Sequence, residues 1–434
     1  MKVRIFPPED MIDGSVELPV SKSCANRRMI IDAVGGYRLP DLPAEGCGTD
    51  IITLYGALTG SCNGVINVGN AGTAMRFLTA YFASKPGCSV TISGDDRMHQ
   101  RPIGPLVEAL RQLGAEITYA GTAGYPPLHI EGRQLRGGTV MLDGGVSSQF
   151  VSALMMIAPA MSEGLTLKLD GQVKSEPYIK LTASMMARRG ADVEYDPLDR
   201  TAIVHPGSYT ADSNTSFERD WSAMAFWMEL TAITAGFITV DGLDRTSAQG
   251  DRMVMDLFAE LGCVEAEPDD EDEAPRADTP NAIELCGSPD LAGRLTYDFS
   301  DCPDLAIPAI VTCCTVGIPF KATGLETLVI KETDRVTALV EELLKAGCVL
   351  TREAPGVLTW EGKRVRIESL PVFDARGDHR MAMALAPMAY FLPGIVIDGA
   401  ECVAKSYPAY WKQLQDLGFI LVDGNAPLGK GADE

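Results

Sequence analysis

The sequence predicts an α/β protein of two domains, each made of three copies of a compact unit that holds two helices and several strands. Three observations predict it. The chain has 434 residues, 46% hydrophobic and 22% charged, which is an ordinary globular composition with ample apolar surface for two cores. One local phrase recurs, in which a helix ends, a glycine follows and an alternating strand begins. It reads Leu110-Arg-Gln-Leu-Gly114-Ala-Glu-Ile, then returns at Gly190, Gly262, Gly347 and Gly418, a spacing of 71 to 85 residues, with a weaker copy at Gly60. The glycine suits the left-handed cap that closes a last helical turn. Finally, nearly every unit sets basic or hydroxylic residues at a helix start.

The formal net charge of -22 argues against nucleic acid and against an anionic membrane surface as partners. It also makes each local cluster of lysine and arginine stand out from its background. Met1-Lys-Val-Arg-Ile reads as a strand and lacks the apolar core of a signal peptide. The apolar runs Leu305 to Phe320 and Met381 to Ile397 are broken by proline and glycine, and each reads as a buried helix followed by a buried strand rather than a membrane span. Eleven cysteines lack metal-ligand spacing, so free thiols in a reducing cytoplasm are the expectation, with no metal.

Taken in order, the helix starts carry the chemistry. Leu18-Pro19 ends a strand, and Ser21-Lys22-Ser23 with Asn26-Arg27-Arg28 opens a helix running through Met29 to Val34; the group reads either as a phosphate cradle or as an N-cap with surface bases. Gly69-Asn-Ala-Gly-Thr-Ala-Met-Arg76 starts another helix, where small residues admit a ligand or simply a tight packed turn. Arg97 and Arg101 precede a helix with Pro102 near its first turn; the choice is between bidentate anion binding and two surface arginines. Ser147-Ser148-Gln149 precedes a buried helix from Phe150 to Ala160, and Ser175-Glu176-Pro177-Tyr178 opens the next; capping is the plain alternative for both.

The acidic stretch Glu265 to Glu273 reads as a solvated loop between strands. Asp298 to Asp304 sets three aspartates ahead of the next helix. Lys331-Glu332-Thr333-Asp334-Arg335 lies between a strand candidate at Leu328 to Ile330 and a helix whose Val336, Leu339, Val340, Leu343 and Leu344 recur at helical spacing. Acids usually occupy a helix N-terminus, so two added cations there suit a bound anion. Alone, the pentapeptide reads equally as a charged, solvated turn. Asp378-His379-Arg380 precedes an apolar helix, and Lys405 lies in Ala404-Lys-Ser-Tyr-Pro408. If the units are related by pseudo-symmetry, these ends converge on one cleft, which implies polyanionic substrates. The glycine patterns of nucleoside triphosphate and dinucleotide binding are missing, which disfavours ATP and NAD.

The ordered set Ser21-Lys-Ser, Asn70-Ala-Gly-Thr-Ala-Met-Arg, Arg101-Pro-Ile-Gly, Ser147-Ser-Gln, Lys331-Glu-Thr-Asp-Arg, Asp378-His-Arg-Met-Ala-Met and Ala404-Lys closely resembles the 5-enolpyruvylshikimate-3-phosphate synthase family, over nearly the whole chain. The resemblance implies two inside-out α/β barrel domains, each of three βαβαββ units. Residues 1–18 with 221–434 would form the lower domain and 19–220 the upper, and a cytoplasmic monomer without cofactor is expected. The implied reaction moves the enolpyruvyl group of phosphoenolpyruvate to the 5-hydroxyl of shikimate 3-phosphate and releases phosphate, in the pathway to chorismate and the aromatic amino acids. Matching position by position, Lys22, Ser23, Arg27, Ser147, Ser148, Gln149, Ser175 and Tyr178 would bind shikimate 3-phosphate. Asp304 would act as a base at its hydroxyls, with Lys331 beside it. Asn70, Gly72, Arg101, Arg335, Arg380 and Lys405 would hold phosphoenolpyruvate, Lys22 reaching both substrates. Glu332 would move protons at the enolpyruvyl carbon. Lys22, Asp304, Lys331, Glu332 and Lys405 are thus the expected catalytic set. With residues from both domains, closure over substrate is expected.

The chain departs from the family pattern at Val20, where glycine is usual, at Glu176 for lysine, at Thr327 and Gly377 for asparagine, and at Trp221 for a small residue. The segment from Asp50 to Asn70 is about a helix and a strand short. The sister enolpyruvyl transferase acting on UDP-N-acetylglucosamine is the nearest alternative, but the loop from Arg97 to Gly104 lacks the cysteine such enzymes usually carry. A non-catalytic protein that kept the fold is disfavoured by intact Lys22, Asp304, Glu332 and Lys405.

Overall fold

The computed structural model describes residues 1–145, 147–212, 216–266 and 281–426. From residue 267 the expected acidic loop lies outside them. The chain forms two compact units: residues 1–19, 219–245 and the described chain from Asp251 onward make one, and residues 20–218 with 246–250 the other.

Both units place helices where the core is. Every residue of Gly72–Ala83 and of His379–Leu385 is buried, as is nearly every residue of Trp221–Thr234, Ala306–Val316 and Ser148–Ile157. A helix apolar on all sides can only be central. The strands alternate instead: Gly138–Asp143 and Leu165–Asp170 bury every second residue against these helices and turn the rest outward. This inside-out layering follows from the two apolar periods in the sequence.

Among the described residues there are five four-stranded sheets, and each is one repeat. Two parallel strands come first, then an antiparallel pair stacks beside the second of them, with helices in the connections. In the unit of residues 20–218, Asn63–Asn67 pairs in parallel with Ser89–Ser93, followed by Glu116–Tyr119 and Leu128–Glu131. Gly138–Asp143 and Leu165–Asp170 repeat the pattern with Val193–Asp196 and Thr201–Val204. In the other unit, Asp13–Glu17 pairs in parallel with Phe237–Asp241, and Leu295–Asp298 with Phe320–Thr323. The last sheet joins Val372–Asp374 to Ile395–Asp398 and inserts Lys2–Phe6 between Ile395–Asp398 and Ile420–Asp423.

The unit of residues 20–218 therefore holds two sheets where three were expected. Its first repeat has the helices Lys22–Val34 and Thr49–Thr59, but the next strand, Asn63–Asn67, already belongs to the following sheet. The shortfall is thus the four strands of that third sheet, while both helices are kept. The cap explains it locally. Gly114, Gly190, Gly262, Gly347 and Gly418 all have positive φ, between 80° and 102°, and turn the chain back toward a strand pair. Gly60 is extended at φ -82° and ψ -165°, so the chain runs on. A second correction concerns Leu328 to Ile330, which form part of a 3-10 turn, Glu326–Ile330, rather than a strand.

One core residue breaks the pattern. Glu229, in the middle of the Trp221–Thr234 helix, is fully buried, and neither carboxyl oxygen has a hydrogen-bond partner among the described residues. Burial pushes its carboxyl well above the ordinary range. At the start of the same helix the unexpected Trp221 donates its indole N–H to the Asp244 carbonyl at 3.1 Å, and the Arg252 guanidinium lies over its ring.

Candidate active site

The buried helices begin where the sequence motifs stand, and their free N–H groups meet short polar side chains. Ser21, Ser147, Asp334 and Asp378 each cap a helix, accepting from the backbone N–H of Cys24, Gln149, Thr337 and Arg380. Ser175 stands apart: it precedes its helix in a left-handed conformation, φ 56°, and its hydroxyl makes no cap bond.

In the unit that contains the Lys331 pentapeptide, six of the predicted residues form one network with Asp378. Arg335 is its hub, 1% exposed. Its Nε donates to Asp378 Oδ2 at 2.7 Å, Nη1 to Asp304 Oδ1 at 2.8 Å and Nη2 to Glu332 Oε2 at 3.1 Å. Asp304 also meets Arg380 Nη2 at 3.1 Å and Lys331 Nζ at 3.5 Å, and Glu332 Oε1 meets Lys405 Nζ at 2.9 Å. Four cations thus face three carboxylates in a nearly dry setting, which leaves a net attraction for anions.

The electrostatics follow from burial and partners. Burial alone would push the Asp304 carboxyl up, but Arg380, Lys331 and Arg335 together outweigh it and hold the group well below the ordinary aspartate range. The Lys331 pKa is lowered as well: burial lowers it more than Asp304 raises it.

In the unit of residues 20–218, Asn70, Gly72, Arg101 and Gln149 gather at the start of the Gly72–Ala83 helix. Arg101 Nη1 donates to Asn70 Oδ1 at 3.4 Å, and Gln149 Nε2 to Thr73 Oγ1 at 3.1 Å. The Arg101 guanidinium lies flat against Gly72: a Cβ there would sit 2.6–2.8 Å from its atoms. Lys22 Nζ is held 3.3 Å from the buried Asp50. Ser148 and Ser175 are both buried, at the starts of their helices.

Arg27, an expected substrate ligand, is held by a ring of protein partners. It is 2% exposed and donates to Thr182 Oγ1, Ser152 Oγ, and the carbonyls of Ser23 and Tyr178, with the rings of Phe77 and Tyr178 beside it. Burial lowers its pKa to about 10. Its bonds tie Ser23, at one helix start, to Tyr178, at another. Glu176, where the family pattern has lysine, is neutralised by Lys180 at 2.6 Å.

Sequence reasoning passed over Asp50, Thr73 and the pairing role of Asp378. Asp50 did carry a signal, an acid in the first turn of its helix. Asp378 lies inside a quoted motif, but nothing in the sequence couples it to Arg335, 43 residues away. Among the described residues no three histidine, cysteine or acidic side chains cluster as metal ligands, and no helix is long and apolar enough to cross a membrane.

The chain is similar to known proteins along most of its length. A family model for EPSP synthase (3-phosphoshikimate 1-carboxyvinyltransferase) matches residues 49–414. A 3-phosphoshikimate 1-carboxyvinyltransferase of Bacteroides fragilis is 44% identical over 94% of this chain and 96% of its own length. Another, from Methanoculleus marisnigri, is 33% identical over 94% of this chain and 98% of its length. The solved EPSP synthase of Acinetobacter baumannii superposes over 97% of this chain and 99% of its own with a TM-score of 0.68, at 20% identity, and so shares the fold.

Proposed function

The chain belongs to the EPSP synthase family, and from that premise we propose how its own residues carry the reaction. The protein is a transferase that moves the enolpyruvyl group of phosphoenolpyruvate to shikimate 3-phosphate, in the shikimate pathway. In this reading the observation that carries the assignment of roles is the Glu332–Lys405 pair, 2.9 Å apart and both side chains more than nine-tenths buried, inside the cationic network.

Lys22, Ser23, Ser147, Ser148, Gln149, Ser175 and Tyr178 bind shikimate 3-phosphate, with Arg27 positioning them. Asn70, Gly72, Arg101, Arg335, Arg380 and Lys405 hold phosphoenolpyruvate, and Lys22 serves both. Phosphate and carboxylate groups that engage Lys331 and Arg380 withdraw those cations from Asp304. The Asp304 carboxylate then regains proton affinity and takes the proton of the attacking 5-hydroxyl. As the hydroxyl oxygen bonds to the enol carbon, the methylene carbon gains a proton through Glu332, and a tetrahedral intermediate results. Glu332 removes a proton from that methyl group as the carbon–oxygen bond to phosphate breaks. The buried cations stabilise the charge that moves between carboxylate, carbon and phosphate.

Residues 19–220 form one domain in this reading and residues 1–18 with 221–434 the other, in a chain that works as a cytoplasmic monomer. A phosphate-release assay tests it. Release is expected only with both shikimate 3-phosphate and phosphoenolpyruvate present. Release with UDP-N-acetylglucosamine in place of shikimate 3-phosphate would move the chain to the sister transferase.

A further inference from the structure

We propose that Cys62 and Cys88 are a reactive dithiol, a modification site that a small-molecule disulfide converts into an intrachain disulfide. Both residues immediately precede paired parallel strands: Asn63 lies opposite Ser89, and the Cys62 carbonyl accepts the Ser89 N–H at 3.0 Å. The two cysteines therefore stand opposite each other, one step before the first pair of the register. Neighbouring strands lie about 4.8 Å apart, inside the roughly 4.4–6.8 Å between Cα atoms that a disulfide spans.

The surroundings assign the order of attack. Cys62 is partly exposed and Cys88 is buried beneath it. The Lys85 ammonium, anchored on Tyr81 Oη at 2.8 Å, lies close enough to act electrostatically on both sulfurs. Burial pushes the Cys88 thiol up to about 11. A Cys62 thiolate attacks one sulfur of the small disulfide, forms a mixed disulfide and releases one thiolate. Cys88 then attacks the Cys62 sulfur and expels the second thiolate. Two cysteine thiols lose two electrons, the small disulfide gains them, and the two thiol protons leave on the two released thiols.

Other cysteine neighbours lack this combination. Cys314 and Cys348 are both buried, out of reach of a solute. Cys263 pairs with Gly287 and Cys286 with Val264, so their side chains point to opposite sheet faces. The Cys62–Cys88 link would close a loop around the Gly72–Ala83 helix, which carries Gly72 and Thr73.

The test is native full-length protein incubated with oxidised glutathione, followed by intact mass and peptide mapping. The expected product is lighter by two hydrogen atoms, carries no glutathione, joins the Cys62 and Cys88 peptides, and unfolds at a higher temperature than the reduced form. Cys88→Ser should stop at one glutathione on Cys62, and Cys62→Ser should stay unmodified at Cys88. Glutathione retained on Cys62 in the wild type, a cross-link between other cysteines, or unchanged thiols at both positions would overturn the proposal.

Discussion

Lys405 Nζ lies 2.9 Å from Glu332 Oε1, while Arg335 Nη2 holds the other oxygen of the same carboxylate at 3.1 Å. A carboxylate clamped between two buried cations is fixed in place and can exchange a proton with only one small region of space. Glu332→Gln keeps the size and removes the exchangeable proton. Turnover is expected to fall about 10²–10⁴-fold, with shikimate 3-phosphate binding changed only a few-fold by titration calorimetry. An unchanged rate of phosphate release would reject the role.

Gly72→Ala tests the face on which Arg101 rests. The added methyl group would meet guanidinium atoms at 2.6–2.8 Å, so Arg101 must move. The KM for phosphoenolpyruvate is expected to rise by about tenfold, which corresponds to about 1.4 kcal/mol, with little change in that for shikimate 3-phosphate. Inhibition by glyphosate, an inhibitor known in the family, should weaken in parallel. Equal inhibition of both forms counts against this placement.

Asp378→Ala strips Arg335 of its closest partner, a carboxylate that is fully buried. Removing one member of a buried ion pair costs about 3–5 kcal/mol, because the remaining charge stays desolvated. Urea unfolding should show a loss of that size. A loss below about 1 kcal/mol would mean that Asp304 and Glu332 satisfy Arg335 without it.

Glu229 predicts a pH dependence of the opposite sense from that of a paired acid. Its folded pKa lies well above that of an ordinary glutamate, about 4.5. As pH rises past 4.5 the unfolded chain releases this proton while the folded chain keeps it. Stability therefore drains away until the folded pKa is reached. Glu229→Gln removes the effect, so its gain in melting temperature should be larger at pH 8 than at pH 5. Equal gains at the two pH values would show that the carboxyl is already ionised in the folded protein.

The buried helices and alternating strands were legible because burial on all sides and burial on one side leave different apolar periods. The five glycine caps were legible because only a left-handed turn demands that residue so regularly. Gly60 misled for the same reason: glycine also tolerates an extended backbone, and the sequence does not distinguish the two. Leu328 to Ile330 looked like a strand because a short apolar run fits a 3-10 turn equally well. The residues at the helix starts could be named from their motifs, but the bonds that Thr182, Ser152 and Tyr178 accept from Arg27 could not, since those residues approach it only in the folded chain. The lone Glu229 was invisible, because charge says nothing of depth.

The strand Lys2–Phe6 pairs on one side with Ile395–Asp398 and on the other with Ile420–Asp423. Its neighbours are thus translated long after it. Residues 20–218 have all their sheet partners as soon as they are made. The early strand must wait, with both edges unpaired, until Ile395–Asp398 is made. Assembly of the two units is accordingly staggered in time, and the sheet built on Lys2–Phe6 closes only after both sheets of residues 20–218 have their strands.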